Sequence, residues 1–161
     1  MGTETSRDEV TLGEAAASDA DAVYAIGALC FSDAWRRETV AADMARPHSI
    51  YLCARRGDEV LGYACFWFVA DEAQLVNLGV RPEARRQGLA ARLLEAGLAA
   101  AEARGMASMY LEVRVSNLAA QALYRAYGFA VQALRKGVYD LPKEDGYIMA
   151  RPIPLPIQEN P

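Results

Sequence analysis

The stretch VNLGVRPEARRQGLAARLL, residues 76–94, decides how the chain folds. Its first five residues are apolar apart from Asn77 and read as the end of a β-strand, which Arg81-Pro82 closes. Leu89, Leu93 and Leu94 then begin an apolar pattern that continues to Leu98 and Ala101, so a helix is expected over 87–104, with Gly105 as its stop. Between strand and helix lies a short basic loop holding Arg85, Arg86, Gln87 and Gly88. Backbone N–H groups at a helix start have no intrahelical partner, and the helix dipole there favours anions. Small residues at Gly88 and Ala90 let an anion approach the backbone. The loop therefore predicts a phosphate site, although it matches neither the P-loop nor the dinucleotide glycine pattern. An ordinary turn with solvated arginines is the alternative that local physics leaves open.

Working outward, EVTLGEA at residues 9–15 reads as a short strand. Ser18 and Asp19 are placed to cap a helix from about Asp21 to Cys30. A second helix is expected from about Arg36 to Met44, stopped by Pro47. SIYLCARR and VLGYACFWFV flank Gly57-Asp58-Glu59 and read as a hairpin, followed by a strand over about Ala73–Val80. Beyond the central helix come a strand over Ser108–Val113, a helix over Leu118–Tyr127 ended by Gly128, a strand opening at Phe129, and a last strand near Tyr147–Ala150. The order is β-α-α-β-β-β-α-β-α-β-β, an α/β arrangement with a mixed sheet and helices on its faces. Residues 1–8 are expected to be a disordered N-terminus. Residues 152–161 carry four prolines and are expected to be a tail that cannot extend a central strand. No internal repeat or linker interrupts residues 9–151, which read as one domain.

Composition narrows the classes of function. The 161 residues are 53% hydrophobic and 24% charged, the balance of a packed globule rather than a disordered chain. A net charge of −4 disfavours a basic nucleic-acid binder. No run of about 18 apolar residues and no signal-peptide pattern occurs, so neither a membrane partner nor export is expected. Cys30, Cys53 and Cys65 are odd in number and form no C-x-x-C pair, which fits a cytoplasmic location and no metal site. His48, the sole histidine, sits in a loop with no sequence partner for a triad.

The loop Arg85–Ala90 resembles the [RQ]-x-x-G-x-[GA] acetyl-coenzyme A signature of the GNAT N-acetyltransferases, and the element order matches their fold. The similarity covers nearly all of residues 9–151. FSDAW at 31–35, LEVRVSNLAAQALYRAYGF at 111–129 and EDGYIM at 144–149 narrow it to the RimI-type bacterial ribosomal-protein alanine N-acetyltransferases. The resemblance implies a GNAT fold: a mixed, mostly antiparallel sheet of six to seven strands with about four helices on its faces. It implies an acyltransferase that moves acetyl from acetyl-CoA to a protein N-terminal amine, on a ribosomal protein, with no metal. It further implies that Leu78, Gly79 and Val80 hold the acetyl and pantetheine part through the backbone of a splayed strand, and that Arg86, Gln87, Gly88, Leu89, Ala90 and Ala91 wrap the pyrophosphate, with Arg85 adding positive charge beside it. Asn117 would contact the coenzyme. Glu112 would be the base and Tyr124 the acid, and Trp35, Glu72 and Tyr139 would meet the acceptor. A monomer or weak dimer is expected.

The chemistry of these residues agrees with those roles. Acetyl transfer needs a neutral amine and a protonated thiol leaving group. Glu112 ends the apolar strand SMYLEV and is placed to take a proton, while a tyrosine hydroxyl such as Tyr124 can give one. A strand-end carboxylate paired with Arg114 or Arg125, and a half-buried helix tyrosine, are the non-catalytic alternatives. Other open readings are a GNAT enzyme acting on lysine or a small amine, and a non-catalytic acetyl-CoA sensor. The chain departs from the family pattern at Ala34, Ala90, Val138-Tyr139 and Gly146, chiefly on the acceptor side.

Overall fold

The computed structural model describes residues 9–155; the expected N-terminal segment 1–8 and tail residues 156–161 lie outside the described residues. The elements are β1 (Val10–Glu14), α1 (Ala20–Cys30), α2 (Arg37–Met44), β2 (Ser49–Arg56), β3 (Glu59–Val69), β4 (Glu72–Val80), α3 (Leu89–Ala103), β5 (Ser108–Arg114), α4 (Leu118–Ala126), β6 (Ala130–Tyr139) and β7 (Glu144–Pro152). Their order is the one read from the sequence. The strands form one seven-stranded sheet, β1-β2-β3-β4-β5-β7-β6. β4 and β5 pair in parallel, which requires a long crossover, and α3 supplies it. β5 and β6 both pair antiparallel with β7.

Turn chemistry explains the hairpins. Gly57 takes a left-handed φ of +60° between β2 and β3, the conformation a tight turn requires. Ala70 does the same, at +54°, between β3 and β4, where no glycine or asparagine marks the turn. The parallel ladder runs from Glu72↔Ser108 to Leu75↔Leu111 and ends there. Residues 76–80 of β4 continue beyond it.

The chain forms two compact units. The first comprises the described residues up to Cys65 together with Asn77–Gly97; the second comprises Phe66–Val76 and the described residues from Leu98 onward. In the first, Val23 and Ile26 of α1, Leu52 of β2, Leu61 of β3 and Leu93 of α3 are buried. In the second, β5 alternates cleanly: Met109, Leu111 and Val113 are buried, while Ser108, Tyr110, Glu112 and Arg114 share the half-buried face. Of the aromatic residues, Phe66 and Phe68 are buried, whereas Phe31, Trp35 and Trp67 are only half-buried.

Three local expectations are corrected. Asp19 does not cap α1: its carboxylate accepts from the Ala16 N–H at 2.7 Å and from the Arg55 guanidinium, closing a 3₁₀ turn ahead of the helix. α3 begins at Leu89 rather than Gln87, because Arg86 and Gly88 hold φ of +65° and +73°, which no right-handed helix accommodates. β7 opens at Glu144 and reaches Pro152, since its register with β5 runs unbroken from Arg114↔Gly146 to Ser108↔Pro152.

Burial sets a pH response. Desolvation pushes the Cys53 thiol up to about 11 and the Tyr124 hydroxyl up to about 12, and raises Cys65, Tyr51 and Tyr63 further. These groups stay protonated in the fold at pH values where the unfolded chain has released their protons. Stability is therefore fully present below the ordinary thiol value of 9.0 and is lost as pH climbs toward 11. The slope is roughly 1.4 kcal/mol per pH unit for each such group. Thermal unfolding followed by circular dichroism is expected to show a steep fall in Tm over that interval, softened in Cys53→Ala. A Tm that holds to pH 11 would show that these groups ionise in place.

Candidate active site

In the first unit, the end of β4 is packed tightly. A Cβ on Gly79 would lie 3.3 Å from Cys30 Sγ and 3.4 Å from Ile26 Cγ2, so α1 sits directly on this backbone. A Cβ on Gly62 of β3 would come within 3.0 Å of the Gly79 carbonyl oxygen. The Val80 carbonyl accepts from Arg85 Nε at 3.2 Å and from Cys30 Sγ at 3.4 Å. Arg85 also reaches Cys30 Sγ at 3.6 Å, so its guanidinium is turned onto the strand end.

The loop that follows is the predicted anion site. Arg86 and Gly88 are both left-handed, and an arginine in that region is uncommon enough to mark a shape imposed by the surroundings. The Gly88 carbonyl accepts the first α3 bond, from Arg92 N at 3.1 Å, so Gly88 opens the helix. The N–H groups of Leu89, Ala90 and Ala91 form the first turn, whose donors have no partner within the helix. A Cβ on Gly88 would meet nothing within 4 Å. The space over the helix start is open, bordered by small residues and by the exposed Arg86. Gln87 accepts from Arg56 Nη2 at 3.1 Å.

The second unit holds the two candidate proton carriers. Glu112 lies on the half-buried face of β5, its side chain 24% exposed, and its Oε2 accepts from Arg135 Nη1 at 2.8 Å. The partner is thus Arg135 of β6. Arg114 instead reaches Glu144 at 3.2 Å, and its guanidinium lies 4.5 Å over the Tyr139 ring. Tyr110 shares the Glu112 face and donates to Gln74 at 2.8 Å. Burial, with Glu72 and Glu112 adding negative charge, pushes the Tyr110 hydroxyl up. Tyr124 is 8% exposed, on the buried side of α4, its ring edge-on to Phe129. Asn117 Oδ1 caps α4 by accepting from Ala120 N at 3.2 Å.

At the start of β7, Glu144 and Asp145 are engaged within the chain. Glu144 accepts from Ser116 N and Asp145 from Gly137 N, both at 2.8 Å. Two departures from the family pattern form one packing solution. A Cβ on Gly146 would lie 2.8 Å from the Tyr139 ring and 2.9 Å from Val138 Cγ1, so the Val138-Tyr139 pair requires glycine at 146.

A cavity of ≈60 Å³ lies within the first unit, lined by Phe31, Asp33, Ala34, Trp35, Tyr51, Tyr63, Asn77 and Val23. Trp35 is the expected acceptor residue among them. Sequence reasoning did not find Asn77, Tyr51 or Arg135. Asn77, a lone polar residue in an apolar strand end, was the one available signal. Among the described residues no group of three or more potential metal ligands occurs, and no helix is long and apolar enough to cross a membrane.

Comparison with known proteins agrees with this architecture. The chain is 35% identical over 147 residues to the [ribosomal protein bS18]-alanine N-acetyltransferase of Escherichia coli K12, covering 90% of this chain and 99% of that one. It is 35% identical over 150 residues to the N-alpha-acetyltransferase RimI of Mycobacterium tuberculosis, covering 89% and 93%. The crystal structure of the E. coli ribosomal-protein-S18-alanine N-acetyltransferase superimposes with a TM-score of 0.86 at 34% identity, over 95% of this chain and 99% of that one. A Thermoplasma acidophilum N-acetyltransferase solved with coenzyme A shares the fold at a TM-score of 0.76 and 16% identity, over 89% and 99%. Residues 20–129 match the acetyltransferase (GNAT) family, and with a fold and relatives that agree along nearly its whole described length, the chain belongs to that family.

Proposed function

We propose that this protein transfers an acetyl group from acetyl-CoA to the α-amine of a protein N-terminus, the N-terminal alanine of ribosomal protein bS18. The observation that carries the reading is the 35% identity to a bS18-alanine N-acetyltransferase over nearly the full length of both chains. The left-handed loop opening α3 supports the coenzyme: open space over Gly88 and the first-turn N–H groups suit a pyrophosphate.

In this reading acetyl-CoA supplies an activated thioester. Leu78, Gly79 and Val80 hold its acetyl and pantetheine part, and the Val80 N–H donates to the carbonyl oxygen as negative charge builds there. Arg86, Gln87, Gly88, Leu89, Ala90 and Ala91 wrap the pyrophosphate, Arg85 adds positive charge beside it, and Asn117 contacts the coenzyme. Glu112 takes the proton of the attacking ammonium. Tyr124 stays protonated at every physiological pH, since burial pushes its hydroxyl up to about 12. That lies above the ordinary thiol value of 9.0, so Tyr124 acts as the acid by donating a hydrogen bond to the departing sulfur, and the second proton released by the attacking nitrogen ends on the thiol. Trp35, Glu72 and Tyr139 meet the acceptor. An α-amine suits a carboxylate base: its pKa near 7.7–8.0 is about 2.5 units below lysine, roughly 3.4 kcal/mol less to deprotonate. The enzyme acts in the cytoplasm as a monomer or weak dimer, with neither nucleic acid nor membrane as partner.

Mass spectrometry of ribosomal-protein N-termini, in cells with and without the gene, tests this. The acetyl group on the bS18 N-terminal alanine is expected to vanish without it. With purified protein, an alanine-starting peptide is expected to outcompete its N-blocked lysine counterpart and polyamines. Preference for a small amine would overturn the reading.

A further inference from the structure

The first unit buries a carboxylate that the acetyl-transfer reading does not use. Asp43 of α2 is 3% exposed. Its Oδ2 accepts from Tyr51 Oη at 2.5 Å and from Cys65 Sγ at 3.6 Å, and its Oδ1 accepts from Ser49 Oγ at 3.1 Å. A buried carboxylate is costly unless hydrogen bonds satisfy it, and an apolar residue there would pack without that cost. The network ties α2 to β2 and β3 through side-chain hydrogen bonds.

What it fixes is a wall of the ≈60 Å³ cavity. Tyr51 lines that cavity, and its ring stacks at 6.4 Å, 14° from parallel, on Tyr63, which lines it too. The Tyr63 hydroxyl lies 3.2 Å from where a Gly27 Cβ would stand, so α1 closes directly over it. The carboxylate thus holds one tyrosine, which holds the second, against the helix that leads into Phe31–Trp35.

The position of the cavity makes it relevant to the reaction. Asn77 lines it and lies three residues before Val80 on the same strand, about 10 Å at about 3.3 Å per residue. Phe31, another lining residue, directly follows Cys30, whose thiol donates to the Val80 carbonyl. Its ≈60 Å³ gives room for a small side chain.

We infer that Asp43 is a positioning residue for acceptor selection: through Tyr51 it holds the wall of a cavity that receives the small first side chain of the acceptor. This rests on the reading of the acceptor as a protein N-terminus. Neither Asp43 nor Tyr51 touches the reacting atoms in this assignment.

The test is steady-state kinetics of the full chain with an alanine-starting peptide, with KM measured separately for peptide and for acetyl-CoA. Asp43→Ala removes the acceptor of the Tyr51 hydroxyl and is expected to raise the peptide KM about tenfold, leaving the acetyl-CoA KM within about twofold. Asp43→Asn keeps an acceptor oxygen and is expected to restore most of the loss. Tyr51→Phe should match Asp43→Ala, and the double variant should be no worse than either, because the two side chains act as one unit. If Asp43→Ala does not fold, Asp43→Asn with Tyr51→Phe still decides the matter. Parallel movement of both KM values, or an unmoved peptide KM in folded Tyr51→Phe, overturns the inference. Should the wild type reject the peptide and acetylate another amine, the N-terminus reading fails by itself. The same comparison is then made on that amine: a selective rise in its KM supports Asp43, and an unmoved one overturns it.

Discussion

Gly88→Asp is expected to leave the protein folded and to weaken acetyl-CoA binding about 100-fold or more. The fold has room for the side chain, since a Cβ at this position meets nothing within 4 Å. The backbone cost is modest, because aspartate is among the residues that best tolerate a φ of +73°. The effect is electrostatic. A carboxylate at the mouth of the helix would stand where the pyrophosphate is proposed to bind. Two unit charges about 4 Å apart repel by about 4 kcal/mol at an effective dielectric of about 20, and screening at this exposed loop reduces that. Gly88→Asn is the control, with the same shape and backbone demand but no charge; it should lose far less. Titration calorimetry of both variants, with melting curves to check the fold, separates the outcomes. Equal losses in the two would assign the effect to shape. Unchanged affinity in the aspartate variant would remove the anion site from this loop.

The element order was legible because its signals are local. Glycine at 57, proline at 82 and glycine at 128 punctuate segments whose apolar spacing switches cleanly between strand and helix. What escaped carries no local residue signal. The left-handed Arg86 carries no residue signal, since arginine ordinarily avoids that region, and the apolar spacing alone extends the helix back to Gln87. The Arg135–Glu112 pair depends on the β5–β7–β6 register, and two residues 23 apart in sequence show no such relation. Asp43 reads as one more acidic residue on a short polar helix; only the packing of α2 against β2 reveals that it is buried. Gly146 departs from the family pattern because the Tyr139 ring occupies the space a methyl group would need. For Glu112, Asp43 and Gly146 the missing information is a neighbour supplied by another part of the chain.

Glu112→Gln is expected to lower kcat by about 10²–10⁴-fold at neutral pH, the range for loss of a general base. The substitution keeps the size of the side chain and an oxygen that can still accept from Arg135, so the ion pair becomes a hydrogen bond from a charged guanidinium to a neutral amide and the strand face is preserved. What it cannot do is take a proton. If Glu112 deprotonates the incoming ammonium, the variant should recover in part toward pH 9, where a free α-amine with pKa near 7.7–8.0 is already mostly neutral. A lysine acceptor, still protonated there, should recover far less, so the same experiment tests which amine is used. The pH range must stop short of the alkaline interval in which the buried thiols and phenols begin to destabilise the fold, and coenzyme binding must be checked at each pH. Arg135→Ala supplies the complementary variant, releasing Glu112 while retaining its carboxylate. If Glu112→Gln is equally impaired at every pH, the carboxylate orients the acceptor rather than deprotonating it, and Arg135→Ala should then be impaired in the same flat way. If Glu112→Gln is unimpaired throughout, the base lies elsewhere, and Glu72, whose charge also bears on Tyr110, becomes the residue to replace.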